Sequence, residues 1–286
     1  MNKHTHKTEI YSNSAGNFAR ISNCTAMEMA SKTTHKVDLL LCDPPYGNTV
    51  KAEWDKASSA LALAQSIALD IEAWKPHLTP KASILVFCGQ GTHGFNPMAH
   101  LRAELERSFR YRNTLTWHKC RGYGKSHDYM FAREEILWFS VSKERTEINF
   151  NIPYEWSENG RDLKRTANVF KIPEIWAPNY VCEKPNALLM RLIETHSQPG
   201  QLICDPYMGS GSTLVTATGL ERNALGCDSS HEAYELTRKR LIVGSSVWEG
   251  LRKLKADTRM QALDEAVESK LKDRHNNSRI ITPRLL

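Results

Sequence analysis

Apolar residues along this chain follow two alternating patterns. Phe18–Cys24, Val37–Cys42, Ser83–Cys88, Gln201–Cys204 and Ala224–Cys227 are short runs of strand length, several ending abruptly at an acid, a proline or a glycine. Between them, Lys56–Trp74 spaces Leu61, Leu63, Ala64, Ile67, Ala68 and Ile71 at helical intervals, with Pro76 and Pro80 closing the segment. Met98–Phe109, Asn186–His196, a stretch reaching Thr218 and another reaching Leu241 read as further helices, the last capped by Ser229 or Ser230. A short helix through Ala30 and strands at Arg112–His118 and Glu135–Val141 complete the set. Strands and helices alternating at these lengths predict an α/β fold, a mostly parallel sheet with helices on both faces. Residues 1–17 read as a poorly ordered tail. Residues 143–180 are weakly periodic, and residues 244–286 form a charged extension with sparse apolar positions.

Composition narrows the setting. A chain of 286 residues can bury one full core. No apolar run reaches bilayer length, and Met1–Ser14 lacks the apolar core of a secretory signal, so a cytoplasmic protein away from membranes is expected. The seven cysteines are scattered singly, without a Cys-x-x-Cys pair, which points to buried free thiols and away from a disulfide framework or a metal site. The net charge of +6 leans toward a polyanionic partner.

Two strand ends carry candidate chemistry. The Val37–Cys42 run stops at Asp43-Pro44-Pro45-Tyr46. The prolines end the ladder, so a carboxylate and a flat ring are presented at the carboxyl end of a strand, where open α/β sheets bind ligands. That set suits gripping a planar base by its amino group and its face. The second is Asp205-Pro206-Tyr207-Met208-Gly209-Ser210-Gly211-Ser212-Thr213, a glycine loop between a strand and a helix. No lysine follows Gly211, and Leu214 stands where a dinucleotide fingerprint needs glycine. A nucleoside ligand without a phosphate chain remains, and Asp228, ending the next strand, can accept from two ribose hydroxyls.

Together, in this order, the two motifs strongly resemble the amino-methylating DNA methyltransferases, in the permuted beta class where the catalytic tetrad precedes the cofactor loop. The resemblance covers roughly residues 18–243, the expected catalytic domain, with 143–180 as a short target-recognition insertion. It implies a Rossmann-like fold, S-adenosylmethionine as cofactor, double-stranded DNA with a flipped base as substrate, and a homodimer or a cognate restriction enzyme as partners to consider. It makes Asp43, Pro44, Pro45 and Tyr46 catalytic and assigns Asp205–Thr213 and Asp228 to the cofactor. Lys184, in Glu183-Lys184-Pro185, would reach the methionine carboxylate. Asn23 and Cys24 stand where the family has Gly-Asp-Cys, with Asn23 replacing the acid that holds adenine. His118-Lys119 and Arg133-Glu134-Glu135 match late motifs that shape the base pocket.

The stretch 107–125 carries Arg107, Arg110, Arg112, Lys119, Arg121 and Lys125 with no acid, which suits phosphate contact. Arg161, Lys164 and Arg165 are candidates for base or phosphate contact in the recognition segment. No Pro-Cys dipeptide occurs, which disfavours a cytosine C5 enzyme. An Asp opening the tetrad resembles adenine N6 enzymes more than cytosine N4 enzymes. An RNA amine methyltransferase and a non-catalytic nucleic-acid-binding subunit are the competing readings.

Overall fold

The computed structural model describes residues 7–12, 16–47, 57–89, 95–123, 129–156, 162–175 and 183–242. Lys125, Arg161 and the 244–286 extension, all singled out above, lie outside them.

Among the described residues, eleven strands and six α-helices are formed: β1 (Thr8–Ser12), β2 (Phe18–Asn23), α1 (Ala26–Lys32), β3 (Val37–Cys42), α2 (Ala60–Glu72), β4 (Leu78–Cys88), α3 (Pro97–Leu105), β5 (Arg110–Tyr123), β6 (Phe131–Ser140), β7 (Tyr154–Trp156), β8 (Leu163–Arg165), β9 (Val169–Lys171), α4 (Asn186–His196), β10 (Leu202–Asp205), α5 (Ser212–Gly219), β11 (Asn223–Asp228) and α6 (His231–Ile242). Nine strands make one sheet in the order β1-β2-β11-β10-β3-β4-β6-β5-β9; β7 and β8 pair separately. From β2 to β4 every pairing is parallel, while β1 and β6 run against their neighbours.

The β3 run explains the layering. Successive side chains point to opposite faces, so Leu39 and Leu41 enter one core with α4, α5 and α6, while Leu40 and Cys42 enter the other with α1, α2 and α3; Val37 joins the second core across the register shift between Val37 and Leu39. A strand with apolar side chains on both faces needs cover on both sides. β10, about 160 residues later in the chain, pairs directly with β3 through Ile203↔Leu39 and Cys204↔Leu40. That adjacency sets the two chemical motifs side by side.

Three expectations need correction. Thr8–Ser12 is an edge strand, not part of a loose tail: it pairs antiparallel with β2, and Glu9 accepts from Arg238 of α6 and from Tyr11. Its polar alternation resembles a tail because only Glu9 and Tyr11 turn toward the protein. Pro80 does not precede β4 but lies within it, near the register shift between Val37 and Leu39, where no regular ladder bond is lost. β5 is also twice the expected length, fourteen residues.

Candidate active site

The tetrad follows β3 directly, and the glycine loop follows β10. Both segments line one cavity of about 290 Å³, together with Thr25, Ala26, Asp70, Phe87, Glu183, Lys184, Leu189 and Asp228–Ser230. Among the described residues its wall carries the carboxyl groups of Asp43, Asp70, Glu183, Asp205 and Asp228 against one lysine, Lys184. Such a wall repels phosphate and favours a cationic guest.

Asp43 sits in a polar cluster. Lys184 Nζ donates to its Oδ2 at 2.6 Å, and the Tyr46 hydroxyl donates to its Oδ1 at 3.0 Å. The same hydroxyl reaches Glu134 Oε2 at 2.8 Å. Lys184 lies 3.5 Å from Glu134, whose other oxygen pairs with Lys119 at 2.6 Å. Burial pushes the Asp43 carboxyl above the usual range, against the pull of Lys184. Burial works the same way on Glu134, but Lys184 and Lys119 outweigh it and hold that carboxyl below its ordinary value. Burial, with Asp43 and Glu134 beside it, raises the Tyr46 phenol, so it remains a donor. The Tyr46 ring lies over Gly89, where a Cβ would come within 2.7 Å of it.

The glycine loop is held from both sides. Asp228 Oδ2 accepts from the Gly209 amide at 3.0 Å, and its Oδ1 accepts from the Ser230 amide at 2.8 Å. Each oxygen keeps a lone pair for a further donor. Gly211 caps α5 with φ +77°, and a Cβ there would meet Thr237 at 2.6 Å. Its missing side chain therefore admits α6, and Gly211 itself does not line the cavity. Glu183 accepts from Arg240 at 2.6 Å and from Ser212 at 3.1 Å, tying the loop to α6. Tyr207 turns to Asp70, donating at 2.7 Å.

Asp205 accepts from the Tyr207 amide at 3.0 Å, and burial raises its carboxyl to about 7. A folded-state value above the unfolded one means the folded protein binds the extra proton. This contribution is fully present below the ordinary carboxylate range and is lost as pH rises through about 7. Asp205→Asn is expected to gain stability relative to the parent as pH rises from the ordinary carboxylate value toward about 7, and to be clearly more stable at pH 8; urea unfolding across that range checks this.

Several expected site residues sit elsewhere. Asn23 donates to the carbonyls of Asp228 and Ser229, at 2.8 and 3.3 Å, and so binds two strand ends together. Asn23 and Cys24 do not line the cavity; the next two residues, Thr25 and Ala26, do. Lys184 lines the cavity with the glycine loop and donates to Asp43. The basic run is split by the length of β5. Cys42 is level with Val86, Leu137 and Thr114 across the ladder, and Arg110 is level with Leu39, about 10 Å lower at ~3.3 Å per residue. Arg107 and Arg110 therefore lie toward the far end of the sheet, and Arg107 pairs with Glu104. Arg112 is bonded to Ser140, Ser142 and Glu144, fixing the exit of β6. Lys119 is committed to Glu134. Arg121 remains on the cavity side. Lys164 pairs loosely with Glu155 at 3.8 Å, and Arg165 is exposed on β8. Glu134 belongs to the Arg133-Glu134-Glu135 motif that the resemblance placed at the base pocket; its bond to Tyr46 is what the structure adds.

The tetrad and glycine loop in one cavity, on this strand order, match a known group: the chain belongs to the DNA methylase family, whose model spans residues 37–239. It is 29% identical over 231 residues to the Type II methyltransferase M2.DpnII of Streptococcus pneumoniae, covering 72% of this chain and 82% of that protein. It is 27% identical over 229 residues to the Type II methyltransferase M1.MboII of Moraxella bovis, covering 68% and 85%. Among solved structures, the M1.HpyAVI–SAM complex superposes with a TM-score of 0.56 at 23% identity, covering 77% of this chain and 98% of that one. The cytosine-N4-specific PvuII DNA methyltransferase gives 0.62 at 13% identity, over 85% and 96%. Both share the fold. Among the described residues no helix is long and apolar enough to cross a membrane.

Proposed function

We propose that this protein transfers a methyl group from S-adenosylmethionine to the N6 amino group of adenine in double-stranded DNA. The observation that carries the reading is the convergence of Asp43–Tyr46 and Asp205–Thr213 on one acid-rich cavity. S-adenosylmethionine, when bound, supplies a methyl group made reactive by positive sulfur. The cavity fits it: five carboxyl groups suit its cationic sulfur and ammonium, and Asp228 offers two oxygens to a ribose. The Gly209 amide is already fixed by that same carboxylate.

On the substrate side, Asp43 and the Pro44 carbonyl accept the two N–H hydrogens of the target amine and turn its lone pair toward the methyl group. Asp43 stands where it can take the proton that the amine must lose once methylated. Lys184 opposes the effect of burial and keeps Asp43 available as an acceptor. Tyr46 gives a flat wall against which the base can stack, with its hydroxyl anchored by Asp43 and Glu134. The protein thus contributes position and electrostatics, with no covalent intermediate. The Asp opening the tetrad supports adenine over cytosine. Arg121, past Lys119 on β5, is the described basic residue placed for DNA in this reading, while Arg165 lines a separate cavity with Arg112 and His196.

The test is to incubate the protein with labelled S-adenosylmethionine and unmethylated DNA, digest the product and identify the modified nucleoside. N6-methyladenine is expected; N4-methylcytosine would overturn the base assignment, and label in RNA alone would overturn the substrate. Asp228→Ala should weaken S-adenosylmethionine binding at least tenfold, about the value of one charge-assisted hydrogen bond. Titration calorimetry showing unchanged affinity would remove Asp228 from ribose recognition.

A further inference from the structure

A second cavity, of about 390 Å³, lies between β5, β6, β9 and the end of α4. It shares no described lining residue with the Asp43 cavity. His196, which lines it, meets Ser83 of β4, and Ser83 is level with Leu39. That level is four residues short of Asp43 along β3, about 13 Å at ~3.3 Å per residue.

The inner end of the cavity is polar although it is almost dry. His196 is 1% exposed and Thr195 8% exposed. Ser83 Oγ accepts from Trp138 Nε1 at 3.1 Å, which leaves its own hydrogen for His196 Nδ1 at 3.2 Å. Burial lowers the His196 ring to about 3, so it is neutral, and with Nδ1 accepting, the proton sits on Nε2. Among the described residues neither that N–H nor the Thr195 hydroxyl has a hydrogen-bond partner. Buried donors left unpaired are costly, so this end has a place for an acceptor.

The walls are flat rings. Trp138 and Phe150 stack with centroids 5.1 Å apart, and both meet His196 edge-on. The mouth is cationic. Arg112, Arg145 and Arg165 line the cavity, and no acid is among the described lining residues. Arg112 donates to one hydroxyl and two carbonyls, all uncharged. Burial, Arg110 and Arg145 together hold its guanidinium below the ordinary value. Arg145 and Arg165 are exposed, and neither is paired with a carboxylate among the described residues.

These features select a ligand. A planar ring with an acceptor on its edge suits the aromatic walls and the His196 Nε2–H. Several guanidiniums at one mouth suit a doubly charged phosphate. The volume is that of a small-molecule site. We infer that this cavity binds a free nucleoside monophosphate, base inward and phosphate at the arginines, apart from the Asp43 cavity.

Calorimetry tests it, with AMP, GMP, CMP and UMP each titrated into the full chain, with and without saturating S-adenosylmethionine. At least one should bind as a single equivalent, with the same affinity in both states. The matching nucleoside, and inorganic phosphate, should each bind roughly tenfold more weakly or worse. The double variant Arg145→Glu, Arg165→Glu changes only exposed side chains. It should weaken the nucleotide roughly tenfold or more and leave S-adenosylmethionine affinity unchanged. Thr195→Val, which keeps the buried shape, should weaken the nucleotide about threefold or more. Duplex DNA should leave the nucleotide in place; displacement by DNA would assign the cavity to the DNA path and overturn the inference. Failure of all four nucleotides to bind, displacement by S-adenosylmethionine, or undiminished affinity in either variant would overturn it as well.

Discussion

Replacing Asp43 with alanine is expected to lower turnover by roughly a thousandfold or more, the scale seen when a positioned acceptor or proton-transfer group is removed. S-adenosylmethionine affinity should stay within about twofold. The asymmetry follows from geometry. Asp43 closes the tetrad side of the cavity, while Asp228 and the Gly209 amide form the other side and are bonded to each other without it. Nor should the variant collapse. Lys184 would lose its 2.6 Å partner, but Glu134 already lies 3.5 Å away and can take the ammonium. Single-turnover transfer and equilibrium binding, measured on the same preparation, test both halves. Near-parental turnover would remove Asp43 from the mechanism.

Lys184→Met should act on stability and on pH dependence together. Lys184 is 6% exposed and sits between two carboxylates, Asp43 and Glu134. Without it those two charges face each other in a poorly solvated site. Breaking one partner out of a buried ionic group costs on the order of 3–5 kcal/mol. The partial exposure of Asp43, 24%, places the expected loss at the lower end, about 3 kcal/mol. The Asp43 carboxyl, already raised by burial, would rise further once the opposing lysine is gone. More of it would then be protonated at neutral pH, and a protonated carboxyl is a poorer acceptor. The acid limb of the rate profile should therefore move to higher pH, with activity partly recovered in alkali. Urea unfolding and a pH–kcat series check the two effects. An unmoved acid limb would show that Lys184 does not govern the ionisation of Asp43.

Much of this architecture is written locally in the chain. Val37–Cys42 and Asn186–His196 form with the expected bounds because each is a simple pattern: six residues with an apolar run, or a helical stripe closed by Pro199-Gly200. The tetrad and the glycine loop were also legible, since prolines and glycines announce where a strand must stop. Properties that depend on neighbours were not. β1 is held by Arg238 from a helix more than two hundred residues away, which no pattern within Thr8–Ser12 reveals. The basic stretch 107–125 looked like one patch because sequence proximity was read as spatial proximity. In an extended strand the opposite holds, and Arg110 and Lys119 are carried toward opposite ends. The resemblance assigned Lys184 to the cofactor, but its bond to Asp43, which the burial of that carboxyl calls for, is not displayed by the linear motif. Gly211, a natural candidate for ligand contact, owes its lack of a side chain to Thr237.

The β3–β10 pairing also bears on how the protein is made. During synthesis β3 emerges about 160 residues before the strand that will flank it. At 5–20 residues per second the nascent chain waits roughly 8–30 s for that neighbour. Until then Val37, Leu39, Leu40 and Leu41 present an open, apolar ladder edge, the kind of surface that recruits strands from other chains. Translation halted before Leu202 should therefore yield aggregates, and slow ribosomes or scarce chaperones should lower the yield of active protein more than its final stability would suggest.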